Sequence, residues 1–177
     1  MSFYDDIQFI RNGMNVRRFH QHPTNEIDTV GKHSCGVALL ANLINPFARK
    51  EVLLAALYHD LGEWVLGDIP APTKKMLSPS AKDEIDEIEV RALEARGYDT
   101  EALTEDEARL LKICDCLDGL LFCIEEIHRG NSPMVRVRDK YEEYLYYILD
   151  NTPVSHWTVR ASEIFRTIVK ESRNVVR

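Results

Sequence analysis

The chain has 177 residues with 29 acidic and 22 basic side chains, a net charge of −7 at neutral pH. That balance lacks the basic stripe needed to neutralise a phosphate backbone, so a nucleic-acid polymer is not an expected partner, although a few local Lys and Arg can hold a small anion. Hydrophobic residues make up 45% of the chain, enough for one domain with a good core. No run approaches the ~20 apolar residues that span a bilayer.

Helical periodicity dominates the whole sequence. Tyr4 to Asn12 reads as a short helix ended near Gly13, and Met14 to Asp28 as an irregular polar segment containing His20, His22 and Pro23. Val30 to Ile44 reads as a helix stopped by Asn45-Pro46, and Ala48 to Leu66 as the next. Gly67-Asp68-Ile69-Pro70-Ala71-Pro72 breaks that helix, because each proline biases its predecessor away from helical geometry. A charged helix is expected from Ser80 to Arg96, with Lys82 to Glu89 as its solvated face. Thr104-Glu105-Asp106-Glu107 is a capping-box start for a long helix to His128, with Gly130 as its stop. Met134 to Leu149 follows, and Thr152-Pro153 opens a last helix to about Arg173. The expectation is an all-α, multi-helix bundle forming a single domain over residues 1–177.

The N-terminal MSFYDDIQF shows no basic region followed by an apolar stretch, so no signal peptide is expected. Cys35, Cys114, Cys116 and Cys123 all fall in amphipathic helices and read as reduced core cysteines of a cytoplasmic protein. Tyr141, Tyr144, Tyr146 and Tyr147 lack the basic interleaving of a nucleic-acid strip, and read as core or subunit-interface residues. Trp157 and Phe165 read as packing residues.

The chemistry concentrates at Leu57-Tyr58-His59-Asp60, where an imidazole and a carboxylate interrupt an apolar helical run. Neighbouring helical side chains point about 100° apart, so both reach one ion only where the helix faces a cleft. His33 lies upstream, and Asp115 and Asp118 lie one turn apart beside the apolar stripe of the long helix. A catalytic divalent cation wants a few N/O ligands and open positions, and His33, His59, Asp60 and one of these aspartates offer four. Spacing does not choose between Asp115 and Asp118, and Asp115 also has the option of an ion pair with Lys112. Glu63 and Asp68 stand nearby, free of ligand duty, as candidate acid or base groups.

These stretches resemble the HD-domain 5′-deoxynucleotidases of bacteria and the related phage dATP/dNTP triphosphohydrolases. The matching segments are Arg18-Phe19, Val30 to Ser34, Tyr58 to Lys74, Leu111 to Asp115 and Cys123 to Glu126. The resemblance implies an HD-domain fold with its metal and catalytic core at about 18–126, and helices at 132–175 that pack and form a homo-oligomer interface. It implies that His33, His59, Asp60 and Asp115 hold a divalent metal ion (Zn, Co or Mn, with Mg accompanying the substrate phosphates). Glu63 is then the general acid/base, and Asp68 the residue near the 5′-oxygen and sugar that rejects a ribose. Arg18 contacts phosphate, Lys74 and Lys112 add positive charge around it, and Phe19 stands beside the base or sugar. The implied substrate is a deoxynucleotide, cleaved to deoxynucleoside plus phosphate or triphosphate. Three departures set this chain apart: Lys32 precedes the metal histidine where a Glu is usual, Phe19 replaces a Trp, and the stretch between Arg91 and Thr104 is short. The alternatives are an HD phosphodiesterase of a cyclic or signalling nucleotide, and a non-catalytic helical protein with a structural metal.

Overall fold

The computed structural model describes residues 2–98 and 103–174. Among them the order is α1 (Phe3–Met14), α2 (Val30–Ile44), α3 (Lys50–Tyr58), α4 (Ala71–Met76), α5 (Pro79–Glu94), α6 (Glu105–His128), α7 (Val135–Asp150) and α8 (His156–Asn174). Short 3-10 turns lie at Leu61–Trp64 and Ser132–Met134. No strand occurs among the described residues; the only extended pairing is an isolated bridge from Arg17 to Thr29. The fold is all-α, as the periodicity predicts. Part of the short stretch between Arg91 and Thr104 lies outside the described residues.

The organising element is α6, whose 24 residues give it a length of about 36 Å. Its start is set by the predicted capping box: Glu107 N–H donates to the Thr104 hydroxyl, and Thr104 N–H donates to the Glu107 carboxylate at 2.9 Å. One face carries Leu110, Ile113, Cys114, Leu117, Leu120 and Ile124 into the core. Against it pack Val37, Ala41 and Ile44 of α2, Val52 and Ala56 of α3, Leu145 of α7, and Trp157, Ala161 and Phe165 of α8. Trp157 also donates its indole N–H to Asp106 at 3.0 Å, which ties α8 back to the start of α6.

The expected helix from Ala48 to Leu66 is two pieces. α3 stops at Tyr58 with His59 as its C-cap, and a 3-10 turn follows at Leu61–Trp64. The reason is packing: Gly62 lies under α5, where an added Cβ would come within 2.6 Å of the Glu89 carbonyl oxygen. Only a residue without a side chain admits that crossing. Beyond Pro70, α4 forms where only a break is expected, because Pro72 lies in its first turn, where a missing N–H costs nothing. The last helix starts at His156, three residues past Pro153.

Among the described residues no helix is long and apolar enough to cross a membrane.

Gly62→Ala is expected to force α5 away from the 3-10 turn. Thermal unfolding should show a fall of several degrees in Tm, the scale of an overpacking change of about 1–3 kcal/mol.

Candidate metal centre and phosphate site

The end of α3 resolves the difficulty of adjacent ligands. Because the helix stops at His59, Asp60 lies in the following turn (φ −100°, ψ 0°). His59 Nε2 and Asp60 Oδ1 are 3.4 Å apart. His33 approaches from α2, with Nε2 3.6 Å from Asp60 Oδ2 and 3.3 Å from Asp115 Oδ1 on α6. His33, His59 and Asp60 each place one donor atom within 4.8 Å of the other two. Asp115 adjoins this triad through His33.

The two imidazoles test whether a cation suits this place. His59 Nδ1 lies 2.9 Å from the Ala56 carbonyl, a partner that only an N–H can serve. His33 Nδ1 lies 2.7 Å from Asp118 Oδ2. In both rings Nε2 is buried without a hydrogen-bond partner and faces carboxylate oxygens. Two orphaned imidazole nitrogens beside carboxylates form a nitrogen-and-oxygen donor set that fits a divalent metal. Burial opposes ionisation of Asp115, but His33 and Lys112 beside it hold its carboxyl well below the usual range. Lys112 Nζ lies 2.6 Å from Asp115 Oδ2. The ion pair weighed in the sequence therefore exists alongside the His33 contact.

Arg18 projects into the same space with its side chain 10% exposed. It lies 3.6 Å from Asp28, 4.0 Å from Asp115 and 4.0 Å from Asp118, with Nη1 lacking any hydrogen bond. The guanidinium is thus held by charge among three carboxylates rather than by a hydrogen bond at Nη1. Its neighbour Phe19 adopts φ +53°, an unusual region for a non-glycine residue. The Phe19 ring stacks on Phe122 at 4.8 Å and lies near Tyr141, so the aromatic cluster holds this kink. The loop beyond is pinned by Glu126 of α6, which accepts N–H bonds from Asn25 (2.6 Å) and Glu26 (3.0 Å).

On the other side stand Glu63, Asp68 and Glu89. Burial, reinforced by Asp60, Asp68 and Glu89, pushes the Glu63 carboxyl from an ordinary 4.5 up to about 9, and Oε2 has no partner. Burial also raises Asp68, which lies 3.8 Å from His20 Nδ1. Glu89 corrects the solvated-face reading of Lys82 to Glu89. It is turned inward, raised by burial against the pull of Lys74, whose Nζ is 4.0 Å away. A cavity of about 250 Å³ opens here, lined by His59, Glu89, Tyr58, Leu93 and Leu111 among others.

The structure thus gathers His33, His59, Asp60, Asp115, Arg18 and Lys112 into contacting pairs, with Glu63 and Asp68 within electrostatic reach of Asp60. Phe19 is next in chain to Arg18 and packs into the aromatic cluster; Lys74 meets the group through Glu89. The sequence reading gave no role to Asp28 and Glu126, weighed Asp118 only as an alternative ligand to Asp115, and put Glu89 on a solvated face. Asp118 carried a signal, since it lies one turn from Asp115 on the same helix. Glu89 carried none, because it sits in an evenly acidic run.

The description "5′-deoxynucleotidase YfbR-like" matches residues 7–97 of the chain. The chain belongs to the YfbR-like 5′-deoxynucleotidase family. It is 28% identical over 140 residues to a 5′-deoxynucleotidase of Citrobacter koseri, covering 67% of this chain and 70% of the relative. The same figures hold for the 5′-deoxynucleotidase YfbR of Escherichia coli. In structure, the chain is similar to the HD phosphohydrolase DatZ of cyanophage S-2L, solved with dA and one catalytic Zn2+. That match has a TM-score of 0.75 at 20% identity and covers 96% of this chain and 98% of DatZ. An HD-domain phosphohydrolase of Listeria innocua superposes with a TM-score of 0.72 at 18% identity, over 97% of this chain and 90% of that one. The HD-domain fold expected from the motifs is therefore the fold observed.

A carboxyl raised in the folded state contributes stability below its unfolded pKa and loses it as pH rises through the folded one. In metal-free protein, Tm should accordingly fall from about pH 5 to about pH 9, and Glu63→Gln should flatten that slope. Calorimetric unfolding across this range checks it; an equally steep slope in the variant would contradict the burial of a protonated Glu63.

Proposed function

We propose that this protein is a metal-dependent phosphohydrolase that cleaves the 5′-phosphate ester of 2′-deoxynucleotides, with His33, His59, Asp60 and Asp115 holding the metal. The observation that carries the reading is the pair of partnerless imidazole Nε2 atoms facing Asp60 and Asp115, with a buried, proton-holding Glu63 beside them. A divalent cation at this site supplies a water of lowered pKa and a Lewis acid for phosphoryl oxygens. Zinc, cobalt and manganese all suit two nitrogens and two carboxylates.

The chain's own groups supply the rest. Arg18 binds the phosphoryl oxygens and counters the charge that builds on them; Lys74 and Lys112 add to the positive field. Glu63, its carboxyl raised by burial and by the neighbouring acids, exchanges a proton with the attacking water or the departing 5′-oxygen. Asp68 sits by the sugar, where its carboxyl meets the deoxyribose edge and disfavours a 2′-hydroxyl. Phe19 backs the base or sugar. Attack at the phosphorus attached to the 5′-oxygen releases phosphate from a monophosphate and triphosphate from a triphosphate, so one mechanism serves both substrates. A homo-oligomer joined through α7 and α8, which expose Tyr144, Tyr146 and Tyr147 on α7, belongs to the same reading.

Product analysis with dAMP and dATP in Co2+ or Mn2+, with AMP and ATP as controls, tests it. Phosphate from dAMP identifies a 5′-deoxynucleotidase, and triphosphate from dATP a triphosphohydrolase. Absence of product from all four would sink the reading and leave a signalling-nucleotide phosphodiesterase or a structural metal protein.

Two substitutions separate the roles. Asp60→Ala should abolish metal binding and turnover together. Glu63→Gln should keep metal affinity while lowering kcat about 10²–10⁴-fold; equal loss of both would remove Glu63 from the proton-transfer role.

A further inference from the structure

We propose that Asp118 is a positioning residue that fixes the His33 ring with Nε2 free for the metal and ties it to Arg18. The inference rests on the metal reading given above, and on a contact that this reading does not use. Asp118 Oδ2 lies 2.7 Å from His33 Nδ1 and 4.0 Å from Arg18 Nη1, so one carboxylate oxygen addresses both side chains. A carboxylate oxygen at this distance accepts, so Nδ1 is the donating nitrogen of the pair and Nε2 is the one left to meet a metal. His33 is wholly buried, and no other partner lies on its Nδ1 side among the described contacts. His59 is fixed in the same tautomer by a backbone carbonyl; His33 relies on a side chain for this.

The seat for that side chain is built into α2. Gly36 lies one turn beyond His33 on the same helix face, and a Cβ at Gly36 would overlap Asp118 Oδ1. The carboxylate therefore occupies the space that any other residue at position 36 would fill. Gly36 and Asp118 form a lock and its notch on two facing helices, α2 and α6. Carboxylates that hold the far nitrogen of a metal-binding imidazole raise its basicity and restrict its rotation, and their loss costs metal affinity.

The test compares wild type, Asp118→Ala, Asp118→Asn, Gly36→Ala and the Asp118→Ala/Gly36→Ala double variant, all as the full chain. Calorimetric titration with Co2+ alone reads affinity, and 15N NMR of the metal-free imidazoles reads the His33 tautomer. Asp118→Ala and Gly36→Ala are each expected to weaken Co2+ binding about 10–100-fold. The double variant should be no worse than either single one, because both remove the same contact. In Asp118→Ala the His33 proton should redistribute towards Nε2, a change that general destabilisation does not produce. Asp118→Asn retains an acceptor oxygen without the charge, so it should keep the tautomer and bind Co2+ between wild type and Ala. Unchanged Co2+ affinity and tautomer in Asp118→Ala would overturn the proposal while leaving the metal reading intact. Should that variant not fold, Asp118→Asn decides, and affinity equal to wild type overturns it. Failure of the wild type to bind Co2+ would instead remove the metal reading and this proposal with it.

Discussion

A buried concentration of carboxylates around one guanidinium is the constraint on which the rest of this molecule depends. Asp28, Asp115 and Asp118 all approach Arg18, and Asp60, Glu63, Asp68 and Glu89 crowd one another on the adjoining side. Burying so many acids is costly unless they are paired, protonated or bound to a cation. The first two means are visible here, and the donor set suits the third. Asp115 pairs with Lys112 and His33, burial and neighbouring acids raise Glu63, and Asp60 lies beside two imidazole Nε2 atoms that have no hydrogen-bond partner. The divergent pKa directions of Asp115 and Glu63 follow from their neighbours: cationic or hydrogen-bonding groups for the first, burial and other carboxylates for the second. Such a separation fits the roles proposed above, an ionised ligand in Asp115 and a proton-exchanging group in Glu63.

Holding these groups in place requires a stiff frame, which the α2/α3/α6 core provides. His33, Asp115 and Asp118 sit on helices that are anchored by the fully buried Val37, Ala41, Leu117 and Leu120. Side chains on such helices lose little precision to loop motion. Residues 15–29, the irregular segment that carries Arg18 and Phe19, are held at both ends. Val30 N–H donates to the Val16 carbonyl at 2.9 Å, and Glu126 collects the Asn25 and Glu26 amides. Burial tends to raise the Glu126 carboxyl, but the hydrogen bonds from Asn131, Asn25 and Glu26 keep it below its ordinary value. A backbone nest closed over an ionised side chain therefore sets where Arg18 and Phe19 can go.

How much of this was legible in the sequence depended on whether a feature was local. The helices α2, α6 and α7 follow from apolar spacing, and the α6 start follows from a capping box, both local signals. His33, His59, Asp60 and Asp115 stood out because polar residues interrupted apolar helical stripes. The break after Tyr58 was invisible, because it comes from α5 crossing at Gly62, a contact between segments that periodicity treats separately. Glu89 was lost for the same reason: an inward turn within an acidic run shows only once α5 has been docked. The choice between Asp115 and Asp118, left open by spacing, turns out not to be a choice. The two are one helical turn apart and take opposite nitrogens of the same ring, Asp115 facing Nε2 and Asp118 facing Nδ1.

The same electrostatics constrain the order of events at the site. A phosphate approaching this pocket meets the carboxylates of Asp60, Asp68, Asp115 and Asp118 as well as Arg18, and like charges in a poorly solvated cleft repel strongly. Arg18 alone is already shared among three aspartates. A divalent cation held by His33, His59, Asp60 and Asp115 would draw off part of the carboxylate field and leave the guanidinium more of its charge for an anion. The acids that make the site attractive to a metal are thus the ones that make it unattractive to substrate beforehand. Metal first and nucleotide second is the sequence of binding that this arrangement of charge favours.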